Sequence, residues 1–293
     1  MRKGFYTALG TPVDEEGCLC SDSMTIQIER QIEAGVSGLL VMGSMGNEAY
    51  IRNSEYSKVA ACSVKAAKGR VPVLVGVTDV SIGRVKDRIE ALSEIKGIDG
   101  IVSTVPYYST VNQDEIYNFY TGITKVSKIP VYLYDLAVVT KAAILPETVR
   151  KLWKNPQIKG IKSGNLVTQR VLMRSEGRPQ DFVQMFSNID EFDIAYRYGI
   201  ERNLDGMFAC TPNTARKMYR ALEAGDMENS GKALDGILAL RNLFASTSCL
   251  LSAFSYAMNL LGCRGNFAVD YQKTIAEKDR ECVEKAMKGL GEI

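Results

Sequence analysis

Short apolar runs alternate with longer segments of helical periodicity along most of this chain. The runs are rich in Val, Ile, Leu or aromatic residues and alternate only weakly, which is typical of strands buried on both faces of a parallel sheet. The intervening segments repeat apolar residues every three or four positions, which predicts amphipathic helices. The predicted strands are Phe5–Leu9, Gly38–Met42, Val71–Val75, Gly100–Thr104, Val131–Tyr134, Ile158–Ile161, Phe182–Phe186 and Gly206–Ala209. The clearest predicted helices are Ser23–Ala34, Ser54–Ala67, Ile82–Ile95, Gln113–Val126 and Thr214–Ala224.

The number of these strand–helix units predicts the fold. Eight units in about 225 residues match a (β/α)8 TIM barrel, for which ~250 residues is typical. An open doubly wound sheet is the competing α/β fold, but the first strand-to-helix turn lacks the GxGxxG of a dinucleotide-binding fold. After Gly225 the strand signal ends, and Met227–Phe244, Leu250–Leu261 and Lys273–Lys288 are predicted helices. We therefore expect a barrel over residues 1–225 and a C-terminal three-helix extension over residues 226–293, packed on the barrel.

The sequence contains no histidine among its 293 residues. Histidine is the only side chain whose ordinary pKa lies between pH 5 and 8, and it is the commonest metal ligand. Its absence excludes Ser-His-Asp and Cys-His catalysis, imidazole-ligated zinc and HExxH sites. Acid–base chemistry must therefore come from carboxylates, lysine, tyrosine, cysteine or the substrate itself.

Charge and cysteine content narrow the class of protein further. The 36 Lys and Arg residues against 34 Asp and Glu leave a formal charge of +2. Neither a basic stripe nor a polybasic arm is present, which argues against nucleic-acid or membrane partners. The seven cysteines form no CxxC pair, and the chain has no signal-peptide core and no apolar span of about 20 residues. These features favour a cytoplasmic protein with reduced thiols.

Two predicted strands end in residues that carry chemistry, at the place where TIM barrels put their active sites. Lys162 ends the apolar run that begins at Ile158. A desolvated lysine has a lowered pKa, and its neutral amine can attack a ketone to form a Schiff base. Tyr134 ends the preceding strand and could relay protons near such a nitrogen. Taken singly, a strand-end lysine can also reach solvent, and a strand-end tyrosine can simply pack.

A glycine-rich loop, Gly43-Ser44-Met45-Gly46, follows the second predicted strand. Paired glycines let the backbone approach a small anion, and exposed N–H groups in such a loop can bind a carboxylate. The Ser44 side chain adds a hydroxyl to this loop. Glycine is also the default residue of any tight turn, so the loop is a weak signal by itself.

Two adjacent pairs of polar residues follow other predicted strands. Tyr107 and Tyr108 come after the fourth strand, where they could supply a functional hydroxyl or pack at a subunit interface. Asp190 and Glu191 come after the seventh strand. The two carboxylates favour a helix N-terminus through its dipole, and they could also accept hydrogen bonds from the hydroxyls of a polyol.

Together these motifs resemble the dihydrodipicolinate synthase / N-acetylneuraminate lyase family of pyruvate-dependent class I aldolases. Gly43-Ser44-Met45-Gly46 is similar to the family's G-[ST]-T-G loop, and Pro106-Tyr107-Tyr108 to its P-Y-Y. Tyr134 falls at the tyrosine of the Y-N-x-P segment, and Gly160-Ile161-Lys162 at the Schiff-base G-I/V-K. The resemblance runs from Ala8-Leu9-Gly10-Thr11-Pro12 through the barrel into the helical tail, so it covers nearly the whole chain.

The resemblance implies a role for each matched residue. Lys162 would condense with the keto group of pyruvate, and Tyr134 would shuttle protons. Ser44 and the loop N–H groups around Met45 would hold the pyruvate carboxylate and link Tyr134 to Tyr108. In this family the second tyrosine comes from a neighbouring subunit, which implies a homotetramer built as a dimer of dimers.

Departures from the family pattern bear on the second substrate. Met45 replaces a threonine, which removes a hydroxyl near the pyruvate carboxylate. Val139 falls where the dihydrodipicolinate synthases carry an arginine that holds a substrate carboxylate, which argues against aspartate semialdehyde. The sialic acid lyases also carry an apolar residue there, and their glycerol-binding D-E pair resembles Asp190-Glu191.

The similarity to the sialic acid lyases is incomplete. Ser163-Gly164 lacks the threonine that those lyases place two residues after the lysine, and Cys210 falls where they have serine. We expect a Schiff-base lyase that needs neither metal nor organic cofactor, and we favour an N-acetylneuraminate lyase-like sugar-acid lyase. A dihydrodipicolinate synthase-like synthase, a 2-keto-3-deoxy sugar acid aldolase or dehydratase, and a non-catalytic keto-acid-binding barrel are the alternatives. A metal-dependent class II aldolase is disfavoured because imidazole ligands are lacking.

Overall fold

Eight parallel strands close into a barrel in chain order, from β1 to β8 and back to β1. The computed structural model describes all residues, 1–293. The strands are β1 Gly4–Ala8, β2 Gly38–Val41, β3 Val73–Gly76, β4 Gly100–Thr104, β5 Val131–Asp135, β6 Ile158–Ser163, β7 Val183–Phe186 and β8 Arg202–Asp205. The predicted TIM barrel is confirmed, because each strand pairs in parallel with its sequence neighbours and helices lie between them.

Helices surround the barrel and continue beyond it. They are α1 Ser21–Glu33, α2 Asn53–Ala67, α3 Ile82–Glu90, α4 Gln113–Val126, α5 Ala137–Thr140, α6 Pro146–Leu152, α7 Leu166–Met173, α8 Phe192–Arg197, α9 Pro212–Glu223, α10 Met227–Ser246, α11 Leu250–Leu260 and α12 Glu277–Leu290. Three short 3-10 turns follow strands, at Ser44–Gly46, Ile189–Glu191 and Met207–Ala209. None of the helices combines the length and apolarity needed to cross a bilayer.

The eighth strand begins earlier than the sequence pattern indicated. The expectation of a strand at Gly206–Ala209 was wrong, since Met207–Ala209 forms a 3-10 turn and β8 is Arg202–Asp205. Only Leu204 belongs to the apolar cluster inside the barrel, whereas Asn203 is fully buried on the opposite face of the strand. Because most residues of β8 are polar, the strand carries no apolar run that a pattern could detect.

Two tyrosine rings fill the amino-terminal half of the barrel interior. Tyr6 of β1 and Tyr132 of β5 point inward, and glycines on the neighbouring strands make room for them. A side-chain carbon at Gly100 would lie 2.5 Å from the Tyr132 ring, and one at Gly160 would lie 2.9 Å from it. Tyr134 shares the inward face with Tyr132, because residues two apart lie on the same side of a strand.

The C-terminal helices belong to the main hydrophobic core between the barrel and its surrounding helices. Phe244, Phe254 and Val283 are fully buried in that core. Glu292 connects the segment after α12 to α9. Its carboxylate accepts hydrogen bonds from the N–H groups of Asn213 and Thr214 at 3.2 and 2.8 Å. These N–H groups lie in the first turn of α9, so Glu292, two residues after the end of α12, supplies the cap that the N-cap side chain of α9 does not make.

The packing around Gly160 predicts a large difference between two glycine-to-alanine changes. A side-chain carbon at Gly160 would lie 2.3 Å from the carbonyl oxygen of Val183, so Gly160→Ala should lower the free energy of unfolding by about 1–3 kcal/mol. Gly231, inside α10, has no neighbouring atom within 4 Å of such a carbon. There the same change should raise the free energy of unfolding by about 0.5–1 kcal/mol. Urea denaturation of both variants measures the difference, and equal effects would contradict the packing described here.

Candidate active site

Lys162 lies at the carboxyl end of β6, between two inward-facing side chains. Its partners in strand register are Tyr134 on β5 and Met185 on β7, which both belong to the apolar cluster inside the barrel. The lysine is only 7% exposed, and its Nζ lies 3.8 Å from the centroid of the Tyr134 ring. The amine is therefore covered by an aromatic face inside the barrel, and the alternative of a lysine that reaches solvent does not apply.

A hydrogen bond across the barrel mouth joins two of the predicted site residues. The Tyr134 hydroxyl lies 3.2 Å from Ser44 Oγ, and either oxygen can be the donor. Tyr134 is buried, whereas Ser44 stands at the start of the 3-10 turn after β2. The closed barrel thus brings Lys162, Tyr134 and Ser44 into one group, although 118 positions separate Ser44 from Lys162 in the sequence.

The turn that carries Ser44 is held close to β1. A side-chain carbon at Gly46 would lie 2.8 Å from the carbonyl oxygen of Leu9, and the Thr11 hydroxyl donates to the Gly46 carbonyl at 2.7 Å. The N–H groups of Ser44 and Met45 stand in the first turn of the 3-10 helix and have no partner within it. Such unpaired N–H groups can bind a carboxylate, as the sequence predicted for this loop.

Met45, the residue that replaces the family's threonine, packs toward β8. A side-chain carbon at Gly206 would lie 2.6 Å from Met45 Cε and 2.9 Å from its Cβ. The methionine is half-buried and contacts the apolar cluster inside the barrel. It therefore forms an apolar wall of the mouth at the place where the resemblance implies a hydroxyl.

The two tyrosines after β4 face different environments. Tyr107 is half-buried, and burial raises the pKa of its hydroxyl. Tyr108 is 89% exposed and makes no side-chain hydrogen bond within this chain. Within one copy of the chain, no hydrogen bond links Tyr108 to Ser44.

The carboxylates after β7 are at the rim of the barrel, and one of them is already paired. Arg241 of α10 binds both oxygens of Asp190, with Nη2 at 2.9 Å from Oδ1 and Nη1 at the other oxygen. Hydrogen bonding to this guanidinium lowers the pKa of Asp190. The Glu191 carboxylate makes no ion pair, so it is the free acceptor of the predicted pair.

Cys210 lies away from the lysine. Its side chain is fully buried among the apolar residues between the barrel and the helices, and its thiol donates to the Met207 carbonyl at 3.3 Å. Burial raises the pKa of the Cys210 thiol well above its ordinary range. The structure thus brings Lys162, Tyr134 and Ser44 together and leaves Cys210 outside that group.

Two charged residues near the site had no recognisable signal in the sequence. Arg241 lies in the C-terminal helical segment, about fifty residues from its partner Asp190, so no local pattern joins them. Glu48 follows the Ser44 turn by two residues and is only 6% exposed, although loop glutamates are ordinarily solvated. No three Cys, Asp or Glu side chains converge where they could hold a metal ion.

Comparison with known proteins gives a consistent result over the full chain. The model of the Dihydrodipicolinate synthetase family matches residues 1–289. The 4-hydroxy-tetrahydrodipicolinate synthase of Bartonella bacilliformis is 28% identical, covering 100% of this chain and 99% of that protein. The enzyme of the same name from Hyphomonas neptunium is 30% identical over 90% of each chain. Among solved structures, the Ruminococcus gnavus sialic acid aldolase superposes with a TM-score of 0.90 at 18% identity, covering 99% of this chain and 97% of that one.

These matches agree with the strand order of the closed barrel. The structural likeness supports the fold, and the family match over nearly the whole length supports the activity class. The chain belongs to the dihydrodipicolinate synthetase family, whose members are class I aldolase-type lyases or synthases.

Proposed function

We propose that this protein makes or breaks a carbon–carbon bond between pyruvate and an aldehyde through an imine on Lys162. The observation that carries the proposal is the Lys162 amine, buried against the Tyr134 ring while the Tyr134 hydroxyl meets Ser44. The neutral form of a lysine amine is the nucleophile that imine formation needs. Membership of a pyruvate-dependent family supports the choice of keto acid.

The reaction follows from the chemistry of the imine. The Lys162 amine adds to the keto carbon of pyruvate, and water leaves as the C=N bond forms. The positively charged imine draws electrons from the adjacent methyl group, so a proton leaves that carbon and an enamine results. The enamine carbon attacks the carbonyl carbon of an aldehyde, whose oxygen takes up a proton. Hydrolysis of the imine then releases the product and the free amine, and cleavage runs through the same steps in reverse.

Tyr134 is placed to move the protons that these steps require. Its ring covers the Lys162 nitrogen and its hydroxyl is hydrogen-bonded to Ser44, so a proton can pass between the phenol and the serine hydroxyl. The unpaired N–H groups of the Ser44 turn would hold the pyruvate carboxylate. Pyruvate would then lie with its keto carbon toward Lys162.

For the second substrate we favour a sugar acid, as in an N-acetylneuraminate lyase. Val139 is exposed on α5 and cannot bind a carboxylate, and Glu191 has a free carboxylate that can accept hydrogen bonds from sugar hydroxyls. One observation favours a different acceptor. Arg241 places a guanidinium at the rim beside Asp190, which would suit an aldehyde with a carboxylate, as in a synthase or a 2-keto-3-deoxy sugar acid aldolase.

We also propose that the protein works on small molecules in the cytoplasm. All seven cysteines are free thiols, as a reducing compartment maintains them. The near-neutral charge of +2 favours neither nucleic acid nor an anionic membrane as a partner.

We further propose a homotetramer assembled as a dimer of dimers. Exposed aromatic or aliphatic side chains occur after β4, at Tyr108, and on and near α7, at Val167 and at Tyr198, which directly follows α8. Large apolar side chains that cluster on a surface mark interaction sites. Tyr108 in one such interface could reach the Ser44 turn of the partner and complete the path of hydroxyls from Tyr134.

Borohydride reduction in the presence of pyruvate tests the imine. We expect a pyruvyl adduct on the peptide that contains Lys162, measured by mass spectrometry, because borohydride reduces an imine to a stable amine. Lys162→Ala should abolish both the adduct and turnover. Lys159→Ala is the matched control, since Lys159 lies on the same strand but pairs with Asp181 at the surface. Folded wild-type protein that yields no adduct would rule out the mechanism.

Tyr134→Phe separates proton transfer from imine formation within the same experiment. The ring remains over Lys162, so the adduct should still form, but turnover should fall by about 10²–10⁴-fold because the acid–base group is missing. A Tyr134→Phe enzyme with unchanged kcat would exclude the phenol as the proton carrier.

A panel of substrates distinguishes the two acceptor classes. If the acceptor is a neutral polyol aldehyde, Glu191→Gln should raise its KM, whereas Arg241→Gln should have a much smaller effect. If the acceptor carries a carboxylate, the order of the two effects should be reversed. Pyruvate release from N-acetylneuraminate and from 2-keto-3-deoxy sugar acids, and pyruvate uptake with aspartate semialdehyde, provide the readout.

Sedimentation velocity tests the proposed assembly. Val167→Asp places a charge in the proposed interface on α7 and should convert tetramers into dimers. Ile26→Asp is the control, because Ile26 is an exposed aliphatic residue on α1, on neither proposed interface. A wild-type protein that sediments as a monomer would contradict the tetramer.

A further inference from the structure

Glu48 is a buried carboxylate that the proposed reaction leaves unexplained. The residue is 6% exposed, and its Oε2 is fully enclosed without any hydrogen-bond partner. Buried polar atoms are nearly always hydrogen-bonded, and an ionised carboxylate without partners is costly to bury. An enclosed carboxyl oxygen without a hydrogen bond therefore calls for a functional explanation.

The backbone and side chain of Glu48 lie directly behind the turn that holds Ser44. The Glu48 N–H donates to the Gly43 carbonyl at 3.3 Å, and the Glu48 carbonyl accepts from Arg88 Nη1 at 3.1 Å. The carboxylate occupies the space that Gly76 leaves at the end of β3. A side-chain carbon at Gly76 would lie 2.9 Å from Glu48 Oε2 and 1.9 Å from the Met42 carbonyl oxygen.

The cations near Glu48 differ in whether they are already paired. Arg88 of α3 is half of a buried ion pair, with its Nε 3.0 Å from Asp79 Oδ2. Asp79 also binds Arg84 at 2.6 Å, so this cluster largely satisfies itself. Lys162 on β6 takes part in no ion pair.

Three carboxyls interact electrostatically with Lys162, those of Glu48, Asp135 and Asp205. Asp135 accepts hydrogen bonds from the Ser163 hydroxyl and the Ile144 N–H, and Asp205 accepts one from the Met207 N–H. Of the three, Glu48 is the one that has an enclosed oxygen without a hydrogen bond.

The remaining groups around Glu48 are hydroxyls. Tyr56 comes from α2, Tyr107 from the loop after β4 and Tyr120 from α4, and each interacts electrostatically with the Glu48 carboxylate. The Thr78 hydroxyl lies beside it at the end of β3. Burial raises the pKa of Glu48 to about 7, although Thr78 and the positive charges of Arg88 and Lys162 act in the opposite direction. The carboxyl can therefore change its charge near neutral pH.

We infer that Glu48 is a positioning residue, the counterion of the Lys162 ammonium in the free enzyme, and that it takes up a proton when pyruvate forms the imine. This inference rests on the proposed function. The pyruvate carboxylate, held at the Ser44 turn, brings a second negative charge to the turn whose Gly43 carbonyl accepts the Glu48 N–H. Repulsion between the two carboxylates favours protonation of Glu48. The pyruvate carboxylate then replaces Glu48 as the counterion of the positive nitrogen, and Glu48 becomes neutral.

The step balances in atoms and charge. The free enzyme contributes the Lys162 ammonium and the Glu48 carboxylate, and pyruvate contributes a ketone and a carboxylate. The nitrogen gives up two protons, which leave with the ketone oxygen as water, and the protonated imine keeps the positive charge. Glu48 takes one proton from solvent. Before the step the ammonium, the Glu48 carboxylate and the pyruvate carboxylate carry a net charge of −1, and the proton from solvent brings the total to zero. After the step the protonated imine, the neutral Glu48 and the pyruvate carboxylate also sum to zero.

Infrared difference spectroscopy measures the proton on Glu48 directly. Adding pyruvate to the wild-type enzyme at pH 8 should produce a band of a protonated, buried carboxyl group that shifts in heavy water. Glu48→Gln should lack this band while still yielding the borohydride-trapped adduct on Lys162. Glu55→Gln is the matched control, because Glu55 is also buried but both of its oxygens are hydrogen-bonded. The band should persist in that variant.

The outcomes separate this inference from the proposed function. An adduct that forms in the wild-type enzyme without the carboxyl band, or a band that persists in Glu48→Gln, overturns the role of Glu48 and leaves the imine intact. Absence of the adduct in the wild-type enzyme overturns the proposed function itself.

A measurement on the wild-type enzyme alone covers the case in which Glu48→Gln fails to fold. Because binding would consume a proton, the Kd for pyruvate should rise with pH, approaching about tenfold per pH unit above the Glu48 pKa of about 7. In Glu48→Gln the rise should be shallower. A wild-type Kd that is independent of pH between 7 and 9 would overturn the inference.

Discussion

The burial of one amine at the end of a barrel strand is the constraint around which this structure is organised. Tyr134 covers the Lys162 nitrogen and Tyr6 and Tyr132 fill the barrel below it, so the amine is held inside the barrel at its mouth. Those rings fit only because glycines such as Gly160 stand opposite them. The same inward-facing rings and glycines therefore pack the lower barrel and position the Lys162 amine at its mouth.

The distribution of charge at the mouth follows from the same burial. Arg88 with Asp79 and Arg241 with Asp190 form ion pairs, so they add little net field at the site. Lys162 is left without an ion-pair partner. Glu48 is the nearby group that can change its charge near neutral pH, because burial raises its pKa to about 7.

Prediction from sequence succeeded where a local pattern carried the information. The apolar runs placed Tyr134 and Lys162 near the ends of β5 and β6, and the paired glycines placed a tight turn at Ser44. It failed at β8, where polar residues on the outer face hide the strand. The sequence pattern also did not predict the ion pair between Arg241 and Asp190, because the two residues are about fifty positions apart in the chain.

The sequence alone determined the eight-stranded barrel, the lysine near the end of β6 and the absence of histidine chemistry, because periodicity and residue type are local properties. Only the tertiary structure decided that Lys162 lies under the Tyr134 ring and that Asp190 is held by Arg241 while Cys210 is buried elsewhere. It also decided that one oxygen of the Glu48 carboxyl is enclosed without a hydrogen-bond partner. These features depend on distances between residues far apart in the chain, which are set only when the barrel closes and its core packs.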